Sequence, residues 1–129
     1  MFAWADFFDL ATLLSNQSEG TEASQRTAIS RAYYAAFHVS RDFLIQRQRL
    51  SALARHRVHV TVWTTLSDSD SSIEQRIGQM GYRLMHIRHH ADYDLIYPAL
   101  DRDLRIVLRD VEWLIAEIAA ISKRASTSP

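Results

Sequence analysis

Residues that break helices are almost missing from this chain. Three Gly and two Pro occur in 129 residues, and one Pro is the terminal Pro129. With so little turn punctuation, long helices are the expected outcome. The apolar spacing agrees. Trp4, Phe7, Phe8, Leu10, Ala11, Leu13 and Leu14 mark a short, very apolar helix over 4–14. A polar break follows at Asn16–Thr21. From Glu22, the positions Ile29, Ala32, Tyr33, Ala36, Phe37, Phe43 and Leu44 hold a helical period over about five turns.

The stretch Arg57–Val62 alternates like a strand and is rich in β-branched residues. A lone strand has no pairing partner, so this segment reads as a fifth, short helix within 54–66. Ser71 and Glu74 have the spacing of a capping box, which starts a further helix after the Ser/Asp loop at 67–71. Its apolar seam is Ile73, Ile77, Met80, Leu84, Ile87 and Ala91. Gly78 and Gly81 fall inside it and read as points of close packing. Pro98 suits the first turn of the last helix. Leu100, Leu104, Val107, Val111, Leu114, Ile118 and Ile121 form its seam. Two sustained seams predict an all-α, up-and-down four-helix bundle with a short additional helix. One domain over 1–122 is expected, with a flexible polar tail at 123–129.

Composition excludes several classes. Cysteine is absent, which removes disulfide scaffolds, Cys-ligated metals and thiol catalysis. The apolar runs are too short for a membrane span, and the start Met1–Asp6 has no signal-peptide pattern. A cytoplasmic location without membrane contact is the expectation. The net charge is zero, but it is unevenly spread. Fourteen of fifteen basic residues are Arg, the side chain suited to bidentate phosphate or carboxylate recognition. Residues 26–57 are net +6 and residues 76–90 hold three Arg and no acid, whereas 92–117 are net −4. Folding can therefore gather a basic face suited to an anionic ligand.

Two stretches carry candidate chemistry. Arg31, Tyr34, His38 and Arg41 are spaced 3, 4 and 3 apart, which makes one helical stripe able to grip a phosphate and a base. A self-satisfied polar layer or a dimer contact would leave the same pattern. Further on, Arg76, Arg83 and His90 are seven apart. His86, His90 and Asp94 have an i, i+4 spacing that a metal could use, but the Glu of the zinc-protease helix is replaced by Ile87, so no metal site is assigned. Arg88 and Asp92 are four apart and suit an ion pair. No glycine-rich phosphate loop and no nucleophile-elbow serine is present, so no cofactor is implied.

Ile29-Ser30-Arg31-Ala32-Tyr33-Tyr34-Ala35-Ala36-Phe37-His38 and Arg88-His89-His90-Ala91-Asp92-Tyr93-Asp94, in this order in an all-helical chain, resemble the HEPN family (higher eukaryotes and prokaryotes nucleotide-binding domain). The likeness runs over about 4–121. It implies a helical bundle with a short extra helix, a homodimer or larger assembly, and a link to RNA or nucleotides. Many HEPN members are metal-independent endoribonucleases of toxin–antitoxin or antiphage systems. Small stand-alone members pair with a minimal nucleotidyltransferase. The family's site is an Arg followed four to six residues later by His. Laid on that motif, Asp92 takes the place of the catalytic His, while Arg83 with His89 or His90 meets the bare spacing. The resemblance thus implies catalytic candidates Arg83, Arg88, His89, His90 and Asp92. The ligand-binding candidates are Arg31, Tyr34, His38 and Tyr93, and a cleft is expected where the Arg31-Tyr34-His38 stripe faces the Arg83-Arg88-His90-Asp92-Tyr93 region, within one subunit or across the dimer. Two classes of function follow: an RNA-handling or RNA-cleaving module, and a non-catalytic dimeric module that docks a partner protein. A surplus of aromatics at Trp4, Phe7, Phe8, Tyr33, Tyr34 and Phe37 predicts self-association.

Overall fold

The computed structural model describes residues 1–16 and 20–127, with side chains through Arg124. All regular structure among the described residues is helical: α1 (Asp6–Ser15), α2 (Glu22–Gln46), α3 (Val58–Ser67), α4 (Ser72–Tyr93) and α5 (Leu100–Thr127). The long elements are α2, α4 and α5, while α1 and α3 have ten residues each. The polar break after α1 includes 17–19, which lie outside the described residues, as do 128 and 129 of the expected tail. The last helix continues past Lys123 to Thr127.

Caps follow from local chemistry. Thr21 accepts from the Ser24 N–H at the start of α2, and Ser71 accepts from the Glu74 N–H at the start of α4. Only half of the capping box forms there, because the Glu74 carboxylate is taken by Arg49 at 2.8 Å. Pro98 lies two residues ahead of α5, in the turn that leads into it. The residue before α3, Arg57, holds a left-handed backbone (φ 50°) without a side-chain cap.

The central helix is α2, which packs against all four others. Its entire apolar seam is buried, and so are Ile77, Met80, Leu84 and Ala91 of α4 and Leu100 to Ile118 of the α5 seam. By contrast, α1 buries only Ala11 fully, and Leu10 and Leu13 face outward, because this helix covers the bundle from one side. The aromatics that predict self-association are largely used within the chain. Tyr33 and Phe37 are core residues, Phe7 and Phe8 pack half-buried against it, and Trp4 stacks on His38. No helix among the described residues is long and apolar enough to cross a membrane.

The packing of α3 on α4 fixes the face on which His59 and Arg88 meet. A Cβ on Gly81 would lie 2.1 Å from the Trp63 ring, and one on Gly78 would lie 2.5 Å from the Ser67 backbone nitrogen. Both glycines are therefore close-approach points. They let Trp63 sink completely into the core, and Trp63 begins the polar network described next.

Candidate functional site

Trp63 donates its indole N–H to the Tyr33 hydroxyl at 3.1 Å, and that hydroxyl lies 2.8 Å from His59 Nδ1. The phenol oxygen already accepts from Trp63, so its proton is available to His59 Nδ1. The assignment that satisfies all three groups puts the imidazole proton on Nε2. The ring is also clamped face to face on Phe37, with centroids 3.8 Å apart. Burial first, then the positive charge of Arg88, then His38, pushes the His59 imidazole down to about 4. His59 is thus neutral at physiological pH and presents an oriented donor. Burial pushes the Tyr33 phenol well above its ordinary range, so it stays protonated.

Arg88 crosses from α4 to this network. Its Nη2 donates to the Tyr34 hydroxyl at 2.7 Å, and its guanidinium lies 5.1 Å from the Tyr34 ring centroid and 5.9 Å from that of Tyr33. Its Nε lies 2.8 Å from Asp92 Oδ2, the i, i+4 ion pair that the spacing suits. The Nε–H is not aimed along that line, so the contact is ionic rather than a formed hydrogen bond. Ser30 reaches the same carboxylate oxygen at a long 3.5 Å. Among the described residues, the two anchors and two ring faces leave Arg88 Nη1 without a hydrogen-bond or ion-pair partner.

Two cavities meet at His59. One, of about 440 Å³, is lined by His59, His86, Arg88 and His89 with Met85. The other, of about 330 Å³, is lined by Tyr34, His38, Arg41, Arg55 and His59 among others. Neither has a carboxylate in its wall. Arg41 and Arg55 both donate to the Ala52 carbonyl, which ties the loop before α3 to α2. His38 stacks on Trp4 at 3.8 Å; burial first, then the Arg41 charge, lowers its pKa against the opposing pull of Asp42. Its buried Nδ1 has no hydrogen-bond partner.

The residues singled out from sequence are only partly brought together. Tyr34, His38, Arg88, His89 and Asp92 converge here. Arg31 sits over the Phe7 and Tyr34 rings, at the end of the stripe. Tyr93 is exposed and packs on His89, at 4.7 Å between ring centroids. His90 turns away and pairs with Asp94 at 2.6 Å, where Asp94 caps the end of α4. Arg83 lies in a different cavity, between α4 and α5. His59 and Arg55 were not singled out. Among the described residues no three His, Cys, Asp or Glu side chains gather as a metal would need.

No protein-family model matches this chain, and no curated protein or solved structure matches it either.

Proposed function

We propose that this chain is a HEPN-type RNA-handling module whose groove around His59 and Arg88 holds the phosphodiester backbone of single-stranded RNA. The observation that carries the reading is the pair of cavities that share His59 as a wall. They are walled by Arg41, Arg55, Arg88 and four imidazoles, and no carboxylate lines either one; Asp92 and Asp42 pair with Arg88 and Arg41 from outside the lining. Such a groove concentrates phosphate. Arg88 Nη1 and His59 Nε2–H would donate to phosphate oxygens.

Cleavage demands more than binding. One imidazole must take the 2′-hydroxyl proton and another must protonate the departing oxygen, while Arg88 stabilises the charge growing on phosphorus. His59 in its neutral, Nε2-protonated form is a donor and not a base. His86 and His89, in the same cavity as Arg88, are the side chains placed for proton transfer. A metal-independent endoribonuclease of a toxin–antitoxin or antiphage system is the catalytic form of this proposal. One observation favours the non-catalytic form, a dimeric module that docks a minimal nucleotidyltransferase or another partner. Asp92, at the place the family gives to the catalytic His, is committed to Arg88.

Incubating the purified protein with total RNA in EDTA separates the forms. Cleavage that survives EDTA and disappears in Arg88→Ala and His89→Ala supports the nuclease. Intact RNA, together with retention of a fluorescent oligoribonucleotide by wild type and its loss in Arg88→Ala, supports the binding module. Intact RNA with no retention refutes the RNA-handling reading and leaves only the module that docks a partner protein.

A further inference from the structure

A second concentration of positive charge lies on the opposite side of α4. A cavity of about 520 Å³ between α4 and α5 is lined by Arg76, Arg83, Arg109, Asp110 and Trp113, with Met80 in its wall. Its size falls within the range of small-ligand pockets. Arg76 lies 4.6 Å from the Trp113 ring centroid. Because α4 and α5 run antiparallel, Arg83, two turns beyond Arg76, stands at the other end, level with Arg109. The two ends are about 10 Å apart along the helix axis. Arg76 and Arg83 have no carboxylate partner among the described residues. Asp110 is the single acid present, buried at the wall with its Oδ1 3.2 Å from Arg109 Nε. The lining is therefore net +2.

Three guanidiniums sharing one cavity repel each other, and one carboxylate does not cancel them. A ligand of charge near −2 would, and a phosphate monoester at neutral pH carries that charge. Arg83 and Arg109 offer forked donors for phosphate oxygens at one end. The other end offers the Arg76–Trp113 pair, a cation against an indole face onto which a planar ring can stack. We propose that the α4–α5 cavity binds a small phosphate monoester that carries a planar aromatic ring. Phosphate would lie between Arg83 and Arg109, away from the ring bound at Trp113. Asp110 is the acceptor left for an N–H on the ligand, since it repels the phosphate itself. The site is separate from the His59 groove and does not depend on how that groove is used.

The test follows the indole N–H resonances of Trp4, Trp63 and Trp113 by NMR, with Trp113 identified through Trp113→Phe. Adenosine monophosphate and inorganic phosphate are the two probes. The expected result is a saturable shift of Trp113 by the nucleotide, with inorganic phosphate weaker by at least about tenfold. Arg83→Ala and Arg109→Ala should each weaken nucleotide binding severalfold and the double variant at least about tenfold. Both arginines are exposed, so the variants should keep the helical spectrum of wild type; Arg83→Gln serves as a second probe of the same contact. A Trp113 resonance that ignores millimolar nucleotide overturns the proposal. So does binding that survives in the double variant, equal affinity for the two probes, or a Trp113 shift that follows protein concentration instead of ligand, which would mark the face as a self-contact.

Discussion

Helix α4 carries arginine on two sides, and the two sides hold it in opposite ways. Toward α3 and α2, Arg88 is pinned by the Tyr34 hydroxyl, by Asp92 and by two tyrosine rings. Toward α5, Arg83 reaches into its cavity with no acidic partner among the described residues. The cause lies in the neighbours. Gly78 and Gly81 let α3 press onto α4, which brings His59, Trp63 and the α2 aromatics against Arg88. Between α4 and α5 contact is sparse, and a cavity lined mostly by long polar side chains is left there. A pinned cation is pre-organised for one geometry; a free one supplies charge. The two sides should therefore respond differently to the same kinds of change.

The largest effect is expected at Gly81→Ala. The added methyl meets the Trp63 ring at an impossible distance, and the ring is too deeply buried to move aside. Overpacking of this kind costs about 1–3 kcal/mol, against which the helix-propensity gain of about 1 kcal/mol is too small. Thermal and urea unfolding should show a clear loss. The amide resonances around His59 and Arg88 should move while those around Trp113 keep their positions. Unchanged stability would mean that α3 does not press on α4 as described.

Next comes the paired comparison of Arg88→Ala with Arg83→Ala. The first strips partners from Tyr34 and from Asp92, and a loss of about 1–2 kcal/mol is expected. The second removes an exposed side chain without an acidic partner and should stay within about 0.5 kcal/mol. Equal losses, read from urea midpoints at unchanged slope, would erase the distinction between the two sides.

Acidification gives a smaller, graded effect. His59 titrates at about 4 in the folded protein, below its ordinary value of 6.5. The unfolded chain therefore takes up the proton first. Stability from this group is complete above pH 6.5 and is lost as pH falls from there through about 4. His38 adds a loss of the same sign. His59→Gln should flatten the fall in melting temperature between pH 7 and 4. Arg83→Ala should leave the slope as it is.

Much of the frame was legible in the sequence. The seams of α2, α4 and α5 name residues that are buried, because long periodic segments carry their own signal. The α4 glycines read as close-packing points, and the Arg88–Asp92 spacing suits the ion pair that forms. Half of the capping box failed because Glu74 met Arg49, a partner supplied by tertiary packing. The site was legible only in part. Arg83 and Arg88 are five residues apart, about 140° around a helix, so they cannot share a face; grouping them followed a motif spacing instead of the helical angle. His59 was missed because its significance comes from Tyr33, Phe37 and Arg88, which arrive from other helices. Its own neighbourhood, Arg57–Val62, shows only an ambiguous alternation. Nothing local marks it as the residue that lines two cavities.

The central claim is that the His59–Arg88 groove receives phosphate from RNA. The most direct measurement is the His59 imidazole titration, followed by NMR in free protein and with a short single-stranded oligoribonucleotide at saturation. The free ring should titrate near 4. A phosphate beside it replaces the opposing influence of Arg88 with a negative charge, so the bound ring should titrate distinctly higher, with proton uptake on binding below neutral pH. In Arg88→Ala the free value should rise and the response to RNA should shrink. A His59 titration that is the same with and without bound RNA would contradict the account, because the ligand would then lie elsewhere on the protein.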